Sequence, residues 1–419
     1  MLIATSSPNH SVNPLVISCA LTIFWIIFKD AFRVSLFFGV PDIGIGIFIV
    51  SVFIGFIAFL QGSRSVKLSM FDVFILAYIF YSSAVTFAHS LLYNPYQLTS
   101  YQILIVFTFQ CVSMFMLWYF ATKSPSILVK VTNSVASLAL RGCIVLGIIL
   151  LVFVIIDLEL VFRFYGELLD LGIIVNPFQT SDQNITVRFS GIFYSALNFG
   201  MFMVFSLVVL LCGDMNSSKK KIIFVVLILL LISSFNRNAM VTFAYISIAI
   251  IGVRVGLQKN AVLLMMLFGL SLLILSLVFI VNLDGSIDQS NSFILSSHSL
   301  YSRFEIWSYW IDSFELVSLF YGHGVIAGMG EEHLYIDNGY VFLIVNSGFF
   351  SLVFLLCGIY KITVMGAKPR GAESDLAFFL VLGLPVAMMF NNIVLDPMLM
   401  LLFFFYPLAL IKKEVLSER

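Results

Sequence analysis

"KKKIIFVVLILLLISSFNRNAMVTFAYISIAIIGVR" runs from Lys219 to Arg254 and sets the reading of the whole chain. Lysines precede an unbroken apolar run. A short polar turn holding Arg237 follows, then a second apolar run, then Arg254. A bilayer offers no water to satisfy backbone N–H and C=O groups, so such runs must be helices. Lysine and arginine accumulate on the cytoplasmic side of short membrane loops. The stretch therefore predicts two spans, near 221–235 and 238–254, joined on the far side by a turn with almost no loop. Arg237 sits in that turn, where a charge costs about 2.5–3.5 kcal/mol if it lies deep. A charge kept at that cost points to function.

The same alternation extends in both directions. Of 419 residues, 61% are hydrophobic and 11% charged, against roughly 25% charged in an ordinary soluble protein. Mean hydropathy is +1.08. Length and flanks give about twelve spans, near 14–33, 42–61, 70–89, 99–122, 135–157, 190–212, 221–235, 238–254, 261–282, 338–360, 374–391 and 394–411. Basic groups fall in alternate loops: Arg64–Lys67, Lys123–Lys130, Lys219–Lys221, Arg254–Lys259, Lys361–Arg370 and Lys412–Lys413. Both termini then lie in the cytoplasm. Lys29 and Arg33 disagree, falling at the outer end of the first span, where they either snorkel or mark a misplaced span. Residues 1–13 lack the basic region and cleavage site of a signal peptide, so the first apolar run is expected to stay as a helix.

Several classes are excluded. A net charge of zero leaves no basic surface for nucleic acid. The alternating pattern of an outer-membrane barrel is missing. Five cysteines, scattered through or beside apolar runs, form neither a disulfide framework nor a metal motif. No internal repeat suggests an inverted-repeat transporter.

Two outer connections are long, about 157–189 and 282–337, and long connections in compact proteins are usually functional. The second carries "SRFEIWSYWIDSFELVSLF", whose aromatic residues fall at helical spacing and suit a membrane interface. It ends in "EEHLYIDNGYVFLIVNSG", Glu331 to Gly348, which gathers acids and His333 just before an apolar run. If this segment is helical, His333 and Asp337 share a face at i, i+4. Either can act as a general base. Metal binding by Glu, His and Asp is chemically open, but the ligand spacing is loose and no HExxH-type signature is present. The bland alternative is a solvated helix cap at Asp337. Arg188, Arg237 and Arg303 all face the outer side, and arginine presents a planar fork of donors suited to phosphate oxygens. Alone, Arg188 or Arg303 reads more simply as interfacial snorkelling. "FYGHGVIAGMG" around His323 reads as a flexible turn, and "IGIGI", with Gly44 and Gly46, as helix packing. "NNIVLDP", Asn391 to Pro397, either lines the outer cavity or breaks the helix pair at Pro397.

Taken in order, these residues resemble a known family. An outer arginine precedes "SGIFYSALN", an "NR" turn joins two spans, and a large penultimate loop holds "SRFEIW", "FYGHG" and "DNGYVFLIVNSG". The order resembles the bacterial O-antigen polymerase and O-antigen ligase superfamily, best from about Arg188 to Tyr360. The resemblance implies an all-α polytopic bundle of about twelve transmembrane helices. It would form one integral membrane domain over 1–419, with a large periplasmic loop at 282–337 containing short amphipathic helices and a first long periplasmic loop at 157–189. It implies a glycosyltransferase of the bacterial inner membrane acting on undecaprenyl-diphosphate-linked oligosaccharide. A flippase and a chain-length regulator would be further partners, and no cofactor or metal is needed. Arg188, Arg237 and Arg303 would hold the lipid diphosphate. Asp337 and His333 would be the catalytic candidates, with Asn338, Glu305 and His323 supporting. This chain has Asp337-Asn338 where many ligases have a His-Asn pair, which favours a polymerase. The alternatives are a ligase transferring glycan to lipid A core, and a lipid-linked oligosaccharide transporter.

Overall fold

In the computed structural model the described residues are 13–32, 43–61, 68–92, 111–170, 174, 178–181, 184–213, 217–283, 306–307, 316–322, 338–368, 371–390 and 396–417. They are almost wholly helical. In chain order the helices are α1 (Pro14–Phe32), α2 (Ile43–Gln61), α3 (Met70–Leu92), α4 (Ser113–Lys123), α5 (Pro125–Ile156), α6 (Leu158–Asp170), α7 (Ala196–Cys212), α8 (Ser218–Ser233), α9 (Arg237–Arg254) and α10 (Lys259–Leu283). They continue with α11 (Leu316–Tyr321), α12 (Gly339–Ser347), α13 (Phe349–Ala367), α14 (Ala372–Phe390), α15 (Pro397–Met400) and α16 (Tyr406–Ser417). A π turn, Leu401–Phe405, joins the last two. Among the described residues, 5 helices are long and apolar enough to cross a membrane: α1, α2, α5, α13 and α14. Shorter apolar segments lie in α3, α7 and α10. This is a membrane-type helix bundle.

Four details depart from the sequence expectation. Within the first long connection, expected as a loop, the described residues form α6 and a short antiparallel pair, β1 (Phe178–Ser181) and β2 (Asn184–Val187), in an otherwise all-helical fold. The span expected at 135–157 belongs to a longer helix that begins at Pro125; proline suits a first helical position because its missing N–H would be unsatisfied there anyway. The span expected at 338–360 is two helices, broken at Gly348. Its φ of +80 is a left-handed conformation natural to glycine. There the carbonyl of Phe320, at the end of α11, packs so closely that a Cβ on Gly348 would overlap it. Gly322, at φ +69, returns the contact: a Cβ there would lie 2.7 Å from the main chain of Asn346. The Tyr81 hydroxyl of α3 donates to the same Phe320 carbonyl at 2.8 Å, so α11 is held against both α3 and the α12–α13 break. Finally, the last span is interrupted by the π turn, whose aromatic residues are fully buried.

Which helices form the centre is not visible in hydropathy. α14 and the segment from Pro397 to Ile411 are buried along nearly their whole length. In α2, α5, α8 and α10, by contrast, many large apolar side chains are exposed, the surface a lipid-facing helix requires. α1 and α2 pack through small polar residues, with Ser18 Oγ donating to the Ser51 carbonyl at 2.8 Å and Ser51 Oγ donating to the Ser18 carbonyl at 3.1 Å. Small side chains let backbones approach and hydrogen-bond across helices in a membrane. The packing expected of "IGIGI" holds only in part: Gly44 is buried, while Gly46 faces open space.

Candidate functional site

Hydrogen bonds divide the bundle into two ends. One end collects most of the basic loops. Lys412 of α16 pairs with Asp72 of α3 at 2.6 Å, and the indole of Trp118 donates to the same carboxylate oxygen at 3.1 Å. Lys259 pairs with Asp375, and Lys413 with Glu373. Arg254 donates to the carbonyl of Leu211, and the Tyr406 hydroxyl bonds Asn133 at 2.8 Å. Charge here is spent on joining helices.

The other end holds the sequence candidates Arg188, Arg237 and Asn338. It is built by helix termini. Ser195 caps α7, accepting from Asn198 N at 3.2 Å, and Asn236 caps α9, accepting from Ala239 N at 2.9 Å. Asn338 caps α12, accepting from Tyr340 N and Val341 N. Asp396 caps α15, accepting from Met398 N at 2.7 Å and from Leu399 N. These residue types are the favoured N-caps because their side-chain oxygens reach the free N–H groups of the first turn. The cap expected at Asp337 therefore falls one residue later, on Asn338.

Side-chain amides tie these starts to the C-terminal end of α14. Asn238 Nδ2 donates to the Ala387 carbonyl at 3.0 Å, and Asn338 Nδ2 to the Met389 carbonyl at 2.8 Å. Carbonyls in the last turn of a helix lack intrahelical partners, so both asparagines satisfy groups that would otherwise be stranded in apolar surroundings. The Tyr340 hydroxyl adds a bond to the Pro385 carbonyl at 2.8 Å, within the region where the proline disturbs α14. Asn198 Nδ2 donates to Asp396 Oδ2 at 2.8 Å, bringing the start of α7 to the start of α15.

The starts of α7, α9, α12 and α15 thus meet at one level, and helix starts carry partial positive charge. Arg188 and Arg237 belong to the same level. Phe189 N donates to the Ser233 carbonyl at 3.0 Å, which holds the Arg188 segment against the α8–α9 turn. Gly200 lets α7 close on that turn; a Cβ there would come within 2.9 Å of Ala239. The turn itself is strained. Phe235 has φ 47, the only non-glycine left-handed residue among those described, and such outliers cluster at functional sites. Arg237, just beyond it, is exposed and among the described residues makes no ion pair. Arg188 is half-buried.

Lys29, which disagreed with the loop charges, finds its reason here. Its ammonium lies 3.1 Å from Asp396 Oδ2. Asp396 thus receives Lys29, Asn198 and two backbone N–H groups. It clamps α1, α7 and α15 together. The "NNIVLDP" stretch contributes this clamp, and the Asp-Pro pair, an N-cap followed by proline at the first helical position, was the signal for it. Asp30 was missed altogether. It is buried, and its Oδ2 accepts the Tyr194 N–H at 2.9 Å, pinning the segment between Arg188 and α7.

Arg303, Glu305, His323, His333 and Asp337 lie outside the described residues. Asn338 itself lies at the level of Arg188 and Arg237 through its bond to Met389. Among the described residues no group of His, Cys, Asp and Glu is arranged to hold a metal. The chain matches no protein-family model and no curated protein sequence.

Proposed function

We propose that this protein is a polysaccharide polymerase of the bacterial inner membrane. In this reading about twelve helices cross the bilayer, both termini are cytoplasmic, and the Arg237 end faces the periplasm. There it joins undecaprenyl-diphosphate-linked oligosaccharide units into an O-antigen-like polymer. The observation that carries the reading is the convergence of Arg188 and Arg237 with four helix starts at one end of the bundle. Positive groups fixed at a membrane edge suit a lipid diphosphate, and preorganised donors stabilise the charge that develops as it leaves.

The step balances without a cofactor. The acceptor hydroxyl loses its proton to Asp337 or His333 while its oxygen attacks the anomeric carbon. The bond to the diphosphate oxygen breaks, and the electron pair leaves with the lipid diphosphate toward Arg188 and Arg237. Attack opposite the leaving group inverts the anomeric centre. The test is glycan-ladder formation by purified protein in nanodiscs supplied with lipid-diphosphate repeat units. Wild type should give a ladder and Asp337→Asn or His333→Ala should remove it. Transfer to a lipid A core acceptor without a ladder would make the protein a ligase, and failure of both would return the transporter reading.

A further inference from the structure

We infer that α6 is an interfacial helix: it lies along the bilayer surface, with its apolar flanks covered by lipid acyl chains and its acidic face in water. The inference concerns a surface the glycan-transfer reading leaves unexplained, and it stands whether or not that reading does.

The sequence "LELVFRFYGELLD" is sharply two-sided at 3.6 residues per turn. Glu159, Arg163, Gly166, Glu167 and Asp170 fall within one sector, and every large apolar residue falls in the rest. Among the described residues, the protein cover on the apolar sector is centred on its middle. Val161 and Tyr165 are buried with Ile174, Leu150, Leu168 and Val187. On the flanks, Leu160 is 47% exposed and Phe164 48% on one side, and Leu158 and Leu169 are exposed on the other, beside the half-buried Phe162.

The position of α5 identifies what covers those flanks. Its end, from Leu151 to Ile156, is an unbroken run of exposed large apolar side chains, a surface that only lipid can accommodate. Asp157 then stops α5 and caps α6, its Oδ1 accepting Glu159 N at 2.9 Å. α6 does not continue outward. It folds back so that its buried face packs on Leu150, about 9 Å of helix rise before the end of α5. That is the depth at which amphipathic helices sit in the interface, about 5–10 Å into the headgroup and acyl boundary. The water-facing side carries three acids and one arginine, with Arg163 and Glu159 paired across one turn, so apolar burial rather than attraction to anionic lipid holds the helix.

The helix also reaches the candidate site. Val187 packs in the same cluster, and the main chain of Ser190 hydrogen-bonds the Tyr165 phenol, which burial otherwise pushes above its ordinary pKa range. The contacts on either side of Arg188 are thus attached to a helix whose depth the bilayer fixes.

The test is tryptophan placed on the two faces of α6 in the full-length protein. Phe164→Trp and Glu167→Trp would be reconstituted in vesicles of brominated or ordinary phosphatidylcholine, and the added emission read against the parent. Phe164→Trp should lose its added emission in brominated lipid and resist aqueous iodide, with Glu167→Trp the reverse. Leu160→Trp repeats the apolar arm if Phe164→Trp does not fold. Iodide quenching on both faces would overturn the inference. So would an apolar-face tryptophan reached by neither quencher, because protein would then be covering the flank.

Discussion

The two ends of the bundle use polar residues in opposite ways. At the basic end, opposite charges close on each other, as Lys412 does on Asp72 and Lys259 on Asp375. At the Arg237 end, neutral asparagines satisfy helix termini while Arg237 is left exposed. Lys29 is the exception there, and its partner Asp396 is itself a cap. Paired charges fix helices in place. The caps satisfy the backbone without using Arg237, which makes no ion pair among the described residues.

The comparison breaks first at its strongest contact. Lys412→Met leaves the Asp72 carboxylate buried without its cation and should destabilise the protein by about 3–5 kcal/mol, read as thermal unfolding in detergent. Adding Asp72→Asn should recover much of the loss. An unchanged melting temperature in the single variant would show that the basic end is not held by charge.

Next in size is the arginine itself. On the proposed function, Arg237→Ala should cost about 10²–10³-fold in glycan transfer, the range for losing one donor at a developing negative charge. Its melting temperature should stay near that of the parent, because the side chain is exposed. Activity and stability falling together would place Arg237 in the scaffold and erase the contrast between the ends.

Gly348→Ala tests whether α11 is locked to the helix break. Its left-handed backbone and the overlap with the Phe320 carbonyl should cost about 1–3 kcal/mol, read as earlier unfolding and as faster hydrogen exchange in 316–322. Unaltered exchange would free α11 from the break. The smallest effect belongs to a single cap. Asn338→Ala removes an N-cap worth about 0.5–2 kcal/mol and strands the Met389 carbonyl. Asn338→Asp should keep the cap but not the bond to α14, so a difference between the two variants separates the roles.

Much of the helical layout was legible because its cause is local. A run such as Ile222–Ile232 must become a helix in lipid whatever its neighbours do, and the helices fall close to the expected runs. Basic residues marked one end for an equally local reason. Arg237 stood out because a charge between two spans with no loop is costly in any arrangement. Where local rules compete, sequence reading slipped. Asp337 and Asn338 are both good caps, and the choice between them depends on a carbonyl at Met389, fifty-one positions away.

The sequence by itself determined that this is a membrane-type helix bundle, and it singled out the arginines, because hydropathy and charge act residue by residue. Only the tertiary structure decided that α14 and the final segment form the centre, since apolar residues facing lipid and apolar residues facing helices have the same composition. It alone explained Lys29 by Asp396, found Asp30 beside the Arg188 segment and folded α6 back onto α5. Each of these is a contact between distant segments, set by packing and by the need to satisfy polar groups away from water.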